Sequence, residues 1–375
     1  MKPRPALLPW LMLVLLAWSG PNVRWPVRAE SPRWETVAQA EGYRIQRHRT
    51  LRWHRLVSPS NLRLAWGGRA HCEERLARHL APPADGRRPN LPFWTLGGLQ
   101  FWGDEMWYCG WRIQCHALDG HCRLLTPRGV RRAWGAYEDC EAAFRRLVDR
   151  TAVRPRSDQF VVLLHGLLET RHAFRRIEKA LAQAGYETVT VKYASTRTSI
   201  DEQAAQLERL LARLEGARRI HFVTHSLGGI VVRQYLAAHR DARIGRLVMI
   251  APPNQGAVMA DLLADRLLYK ALTGPAGQQL LSDSDGFIAA LPAPWCEFGV
   301  IAAGLGDGLG FSPLIPGDDD GVVGVAETRL EGMRDFLVVP ATHGLVTTRK
   351  RTIQAVLTFL QTGRFEGSVE KSSEE

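Results

Sequence analysis

From residue 157 onward the chain alternates between two hydrophobic patterns. Residues 159–164 and 244–251 are near-continuous apolar runs, which are typical of strands buried on both faces of a parallel sheet. Residues 171–184 and 199–214 instead place apolar side chains every three or four positions, the spacing of one helix face. Similar patterns predict strands at 219–225, 298–303 and 336–340 and a last helix at 351–361, and an alternating run predicts a strand at 187–193. This alternation predicts an α/β fold with a doubly wound, mostly parallel sheet.

Residues 30–156 have a different character, with short β-like runs separated by turn residues. An alternating run at 111–115, the dipeptide Asp119-Gly120 and a returning run at 122–125 predict a β-hairpin. Four tryptophans lie close together in the sequence, namely Trp94, Trp102, Trp107 and Trp111. Such a cluster is typical of the core of a small domain, and it also suits a ligand-binding or membrane-facing surface. We predict a small β-rich or mixed N-terminal region that contains no catalytic motif.

The two ends of the chain carry separate signals. Lys2 and Arg4 precede an uncharged, leucine-rich run at 6–18, which is too short for a comfortable membrane span and suits the apolar region of a signal peptide. We predict that residues 1–29 form a signal peptide or an N-terminal membrane anchor. The protein is then exported, to the periplasm, the cell exterior or a membrane-anchored position. Residues 364–375 are polar and acidic, which predicts a disordered tail.

The net charge of +11 comes almost entirely from arginines scattered along all 375 residues. A loose attraction to anionic membrane surfaces is consistent with this charge. The sequence contains no zinc finger, recognition-helix pattern or RNP-type motif, so we do not expect a nucleic-acid partner.

Six cysteines are present, and none forms a C-x-x-C pair, so we expect no metal site. In an exported protein an even number of cysteines permits disulfides, chiefly among Cys109, Cys115, Cys122 and Cys140. Buried free thiols are the alternative, and the pairing does not follow from the spacing.

One stretch carries a nucleophile signature. The apolar run 219–225 stops at Ser226, and Leu227-Gly228-Gly229 and a helix-capable run follow it. A strand, a sharp turn and a helix in this order hold a serine hydroxyl clear of the backbone at the edge of a sheet. Small residues in a strand-to-helix turn are also common in any α/β protein, so Ser226 needs partners elsewhere in the chain.

A serine nucleophile needs a base and an acid, which in this architecture follow it in the order Ser, Asp or Glu, His. His343 comes directly after the last predicted strand and before the last helix, which is the position of the base. Asp320 is our choice of acid, with Asp318, Asp319 and Asp307 as alternatives. A run of adjacent aspartates also occurs in solvated turns.

A serine that attacks a carbonyl group produces an oxyanion, and two backbone N–H groups are needed to stabilise it. Leu227 follows the nucleophile, and Leu167 follows His165-Gly166 at the end of the first strand of the sheet, so these two residues are the expected donors. We interpret His165 as a structural part of this loop. His225 precedes Ser226 on the wrong side of the turn, and we interpret it as a packing residue.

Taken together, these segments resemble the α/β-hydrolase superfamily, and within it the bacterial lipase-like and esterase-like members. The likeness covers roughly residues 157–363 and rests on five short motifs at 162–167, 223–229, 252–256, 320–323 and 342–343. The departure is Thr224, which stands where the usual elbow motif has its first glycine. The N-terminal region has no counterpart in the resemblance.

The resemblance implies hydrolysis of carboxylic esters through an acyl-serine intermediate, with no cofactor. Residues 257–294 occupy the place of a lid-like or acyl-pocket insertion, and their leucines suit an apolar acyl chain, although core packing explains them equally well. We expect activity to be lost at acid pH as His343 becomes protonated.

Two other functions fit the same residues. The triad also serves acyl transfer to an alcohol or amine, and the sequence does not separate this from hydrolysis. A catalytically inactive, membrane-tethered binding protein is a further alternative, which the presence of Ser226, Asp320 and His343 together argues against.

Overall fold

The computed structural model describes residues 33–365, apart from positions 41, 52, 60–62, 81–100, 119, 149–152 and 283–284. The predicted leader at 1–29, Trp94 and the tail beyond residue 365 lie outside the described residues. Among those that are described, no helix is both long and apolar enough to cross a membrane.

The N-terminal region consists of two units, each a four-stranded antiparallel sheet followed by a helix. The first contains β1 (Trp34–Ala40), β2 (Tyr43–His48), β3 (His54–Val57), β4 (Arg63–Gly67) and α1 (Arg69–Leu80). The second contains β5 (Trp102–Tyr108), β6 (Trp111–His116), β7 (Cys122–Leu125), β8 (Arg131–Gly135) and α2 (Tyr137–Val148). Strands are neighbours in chain order in both sheets. The predicted mixed region and its β6–β7 hairpin are confirmed.

The two units are repeats of one another, because Trp102 and many later residues match the residue 68 positions earlier. The matches in the first unit are Trp34, Gly42, Arg44, Ile45, Gln46, His48, Arg55, Leu56, Pro59, Arg63, Ala65, Trp66, Gly67, Cys72 and Glu73. The alternation of polar and apolar residues did not reveal this repeat, which appears only when the chain is aligned with itself.

Both units use the repeated residues in the same way. On the sheet face opposite the helix, an arginine donates to the glutamine of the neighbouring strand and lies over a tryptophan ring. These residues are Arg55, Gln46 and Trp34 in the first unit and Arg123, Gln114 and Trp102 in the second. The guanidinium carbon is 4.3 Å from the ring centre in the first unit and 3.7 Å in the second. The repetition shows that this arginine–glutamine–tryptophan arrangement belongs to the architecture of the unit.

The remaining chain forms the predicted parallel sheet, with six strands in the order β10-β9-β11-β12-β13-β14. The strands are β9 (Gln159–Leu164), β10 (Glu187–Val191), β11 (Arg219–His225), β12 (Ile244–Ile250), β13 (Phe298–Gly304) and β14 (Asp335–Pro340). The helices are α3 (Arg175–Gln183), α4 (Ile200–Ala212), α5 (Leu227–Ala238), α6 (Val258–Leu263), α7 (Leu267–Gln278), α8 (Phe287–Ala290) and α9 (Lys350–Thr362). Two apolar cores cover the two faces, one packed by α4 and α5 and the other by α3 and α9.

Two of the boundaries that differ from the sequence prediction have an identifiable physical cause. The helix predicted at 171–184 begins as a 3₁₀ turn, Arg171–Phe174, because the Thr170 side chain accepts from the N–H of His172. The strand predicted at 187–193 ends at Val191, because the next residue, Lys192, uses its backbone N–H and C=O on the second N-terminal unit.

The second unit covers the outer edge of β10. The N–H of Asp104 donates to the Lys192 carbonyl at 2.7 Å, and the N–H of Lys192 donates to Asp104 Oδ2 at 2.7 Å. Gln206 on α4 donates to the backbone carbonyls of both residues. A Cβ on Gly103 would lie 2.5 Å from the Gln206 side chain, so the approach requires glycine. An edge strand that would otherwise present unpaired backbone groups is thereby covered.

One disulfide is formed, between Cys115 on β6 and Cys122 on β7, which are paired residues of the hairpin. Cys72, Cys109, Cys140 and Cys296 are free. Of the four cysteines favoured for disulfides, two are therefore bonded to each other and two are not.

Helix α5 and strand β9 approach closely at Gly228, where a Cβ would lie 2.3 Å from the Leu164 carbonyl oxygen. We expect Gly228→Ala to lower the free energy of unfolding by about 1–3 kcal/mol, because backbone on both sides must separate. Urea unfolding followed by circular dichroism measures the change. Gly344→Ala is the matched control, since nothing lies within 4 Å of its Cβ position. Equal unfolding midpoints for the two variants would contradict the prediction.

Candidate active site

Ser226 occupies a strained turn between β11 and α5. Its φ of 52° and ψ of −125° are rare for a residue with a side chain. The turn is held from both sides, since the Ser226 N–H donates to the Ile250 carbonyl at 2.9 Å and the Ser226 carbonyl accepts from Gly229 at 2.9 Å. Thr224 keeps ordinary strand geometry and pairs with Leu164 and Met249, so it does not distort the turn.

His343 and Asp320 are brought together by the loops after β14 and β13. His343 Nδ1 lies 2.7 Å from Asp320 Oδ2, and the His343 N–H donates to the Asp320 backbone carbonyl at 2.9 Å. Asp320 Oδ1 accepts the N–H groups of Val322 and Val323 at 2.9 and 2.8 Å. The side chain of Asp320 is 1% exposed and that of His343 is 15% exposed. A buried carboxylate thus contacts Nδ1 of a more accessible imidazole and fixes the orientation of the ring.

The neighbouring aspartates have other contacts. Asp318 accepts the N–H groups of Leu305 and Gly306 and supports the loop after β13. Asp319 accepts those of Ser312 and Gly321 and is fully buried. Asp307 accepts within its own exposed turn. Of the four candidate acids, Asp320 is the one for which the structure gives a hydrogen bond to His343.

The loop after β9 lies against Ser226. A Cβ on Gly166 would lie 3.0 Å from Ser226 Cβ, so a larger residue there would crowd the serine. Leu167 follows Gly166, and Leu227 opens α5. Within the described part of the chain, neither the Leu167 nor the Leu227 N–H has a hydrogen-bond acceptor. Two unused N–H donors beside Ser226 can stabilise a developing oxyanion.

Comparison with known proteins identifies the fold of the parallel-sheet region. A family model described as alpha/beta hydrolase fold matches residues 159–297. The chain has the α/β-hydrolase fold. A comparison with curated protein sequences finds no match.

Several solved structures are similar to part of this chain. The mature Bacillus licheniformis lipase BlEst2 is 20% identical, with a TM-score of 0.42, covering 54% of this chain and 89% of that one. Phospholipase PlaB from Legionella pneumophila is 17% identical, with a TM-score of 0.45 and coverages of 56% and 60%. The metagenomic carboxyl esterase MGS0156 is 22% identical, with a TM-score of 0.41 and coverages of 56% and 73%.

A second acid–imidazole pair lies beside the first. Glu169 Oε2 is 2.7 Å from His225 Nδ1 and accepts the Gly166 N–H at 2.8 Å, so one carboxylate ties the loop after β9 to the end of β11. The His225 ring is fully buried and its centre is 4.7 Å from that of His343. Interpreting His225 as a packing residue therefore missed its polar contact. Glu169 was not singled out from the sequence. Its position three residues after Gly166, from which its side chain can accept the Gly166 N–H, could have indicated a role in this loop.

The contact between Glu169 and His225 shifts the pKa of both groups toward their charged forms. Burial alone would raise the pKa of Glu169, but the charge of His225 and the hydrogen bond between them outweigh burial and lower that pKa to about 2. Burial alone would lower the pKa of His225, and the Glu169 carboxylate outweighs it and raises the pKa. Each group thus stabilises the charged form of the other across two elements of the site.

His165 lies in the loop, as expected. It is fully buried, its Nδ1 is 2.9 Å from the Gly166 carbonyl, and its ring stacks on Tyr193 with centres 4.5 Å apart. The Tyr193 hydroxyl donates to the His165 carbonyl. Burial lowers the pKa of His165, so it remains neutral.

Glu169→Gln removes the ion pair and gives a stability loss that depends on pH. Because the pKa of Glu169 is lowered from 4.5 to about 2, its stabilisation is present above pH 4.5 and is lost as the pH falls through about 2. Because the pKa of His225 is raised above 6.5, its stabilisation is present below pH 6.5 and is lost as the pH rises through the raised value. We expect the variant to lose roughly 3 kcal/mol between these limits and less on either side.

Urea unfolding at about pH 3, 5.5 and 9 tests this window. Glu208→Gln is the control, because it breaks an exposed pair with His239 at 3.1 Å and should change stability little at any pH. A loss in Glu169→Gln that does not vary with pH would show that the charges do not carry the effect.

Proposed function

We propose that this hydrolase cleaves carboxylic esters through an acyl-serine intermediate on Ser226. The observation that carries the proposal is the 2.7 Å contact between His343 Nδ1 and Asp320, at the same edge of the sheet as the strained Ser226 turn. A carboxylate on one imidazole nitrogen leaves the other to act as a base.

In this mechanism His343 takes the Ser226 proton as the hydroxyl oxygen attacks the ester carbonyl. The N–H groups of Leu227 and Leu167 hold the oxyanion, and Asp320 orients His343 and stabilises its protonated form. His343 then gives the proton to the departing alcohol, and the acyl group stays on Ser226. Water, deprotonated by His343, attacks the acyl-serine, and His343 then returns the proton to Ser226 Oγ as the acid is released.

Exposed leucines favour a substrate with an apolar acyl chain. In the lid-like segment 257–294, Leu267 is 86% exposed and Leu268 is 71% exposed. Leu309 and Leu314, in the loop after β13, are exposed as well, and this loop lies at the same edge of the sheet as Ser226. Exposed leucines in these two segments suit an apolar acyl chain better than a polar substrate.

The site is also compatible with acyl transfer to an alcohol or amine, and no contact in the structure favours that reaction over hydrolysis. Export fits the Cys115–Cys122 disulfide, since disulfides persist in oxidising compartments. The net charge of +11 fits association with an anionic membrane surface.

Labelling with a fluorophosphonate probe tests the nucleophile. We expect the wild type to be labelled and Ser226→Ala to be unlabelled. Asp320→Asn should lower kcat/KM for a simple aryl ester on the order of 10⁴-fold, because the wrong imidazole tautomer is favoured. Asp318→Asn, two residues away, is the matched control and should keep most of the activity, since Asp318 contacts loop N–H groups and not His343. An unlabelled wild type, or labelling of Ser226→Ala, would exclude the proposed role of Ser226.

The exposed leucines give a second prediction. Replacing Leu267 and Leu268 together by Gln should lower kcat/KM for long-chain esters by about tenfold and leave short-chain esters unchanged, because about 1–3 kcal/mol of apolar contact with the longer chain is lost. A panel of p-nitrophenyl esters of increasing chain length measures this. Equal effects on all chain lengths would separate these leucines from acyl-chain binding.

A further inference from the structure

Four cationic side chains gather where the second N-terminal unit meets the hydrolase sheet. We call them the basic cluster, and they are Arg112 and Arg123 from the unit and Arg171 and Lys192 from the hydrolase. They surround Asp104, which is buried. Asp104 and Glu178 are the acids that the described residues place beside Arg171 and Lys192.

Asp104 is already occupied by other donors. Its Oδ1 accepts from the Gln114 side chain at 2.7 Å, and its Oδ2 accepts the Lys192 N–H at 2.7 Å. The nearest cation, Arg112, is 3.9 Å from Oδ2. Among the described residues, neither Lys192 nor Arg171 forms an ion pair, although the charge of Glu178 reaches Arg171.

The pKa values of Lys192 and Arg171 are lowered. Burial, and after it the charge of Arg123, lowers the pKa of Lys192 to about 8. Partial burial, and after it the charge of Arg112, lowers the pKa of Arg171. Arg112 has a side chain 12% exposed, whereas Arg171 is exposed, so the cluster opens to solvent on one side. A bound anion stabilises like charges that are held together in a partly buried site. One arginine can contact such an anion through two parallel hydrogen bonds.

The cluster lies within reach of Ser226. Lys192 directly follows β10, and one strand, β9, separates β10 from β11, which leads into Ser226. Neighbouring strands are about 4.8 Å apart, which places the two positions on the order of 10 Å from each other. Arg171 follows the loop that carries Leu167 and Glu169.

The first N-terminal unit shows which of these cations are specific to the site. Arg44 and Arg55 stand where the second unit has Arg112 and Arg123, so the arginine pair belongs to the repeat. Thr36 stands at the position of Asp104 and accepts from Gln46. Arg171 and Lys192 are therefore what the hydrolase adds to this face of the second unit.

We propose that the basic cluster binds an anionic group of the ester substrate, a phosphate or a carboxylate, on the order of 10 Å from the carbonyl that Ser226 attacks. This deepens the proposed function and rests on it. Arg171 and Lys192 make the contacts that select a charged ester over a neutral one, and the exposed leucines receive the acyl chain.

Three soluble esters of equal length test the proposal, one neutral, one with a terminal carboxylate and one with a terminal phosphate. In the double variant Arg171→Gln, Lys192→Met we expect kcat/KM for at least one anionic ester to fall more than tenfold. The neutral ester should change less than twofold, and the anionic ester with the larger loss identifies the anion. Arg175→Gln is the control, since Arg175 is exposed and close to Arg171 but outside the cluster. The single variant Arg171→Gln, at an exposed position, repeats the test if the double variant fails to fold.

A second measurement does not depend on catalysis. Inorganic phosphate should raise the Tm of the wild type and of Arg175→Gln, and not that of the double variant. Fluorophosphonate labelling of Ser226 should be the same in all of them. Equal losses for charged and neutral esters, or phosphate stabilisation that survives in the double variant, would overturn the anion site. Absence of labelling and of ester turnover in the wild type would instead overturn the proposed function.

Discussion

The turn at Ser226 is the constraint on which the site depends. A non-glycine residue at a φ of 52° persists only where its surroundings hold it, and here the Ile250 carbonyl and the first turn of α5 do so. The contact between α5 and β9 at Gly228 brings the oxyanion loop against Ser226 at the same time. The nucleophile and its donors are therefore set by backbone packing, which also explains why small residues surround the serine.

Two acid–imidazole pairs share this edge of the sheet, and their environments differ. Asp320 contacts an imidazole that is partly accessible, whereas Glu169 contacts one that is fully buried. An exposed ring nitrogen can exchange protons with a substrate, and a buried one cannot. We therefore interpret the His343 pair as reactive and the His225 pair as structural, with Glu169 fixing the oxyanion loop through Gly166. Removal of the second pair should alter the position of the donors without removing the base.

Much of the fold and part of the site could be predicted from the sequence, for identifiable reasons. Most of the buried parallel strands are apolar runs and β10 alternates, so all six strands of the parallel sheet were found. The elbow at Ser226 and the position of His343 follow from chain order. The choice among Asp318, Asp319 and Asp320 could not be made by pattern, because adjacent residues in one turn differ only in where their side chains point. Contacts made by Glu169 depend on three-dimensional packing between distant segments.

The repeated N-terminal units show how the same sequence pattern acquires different roles. Both units keep the arginine, glutamine and tryptophan on the face opposite the helix, but the second replaces Thr36 with Asp104. A buried carboxylate there accepts the Lys192 N–H, so Asp104 creates a hydrogen-bonded contact with the end of the edge strand. The same contact brings the unit's arginines beside Arg171 and Lys192. Covering a strand edge and concentrating positive charge near Ser226 are thus two consequences of one contact.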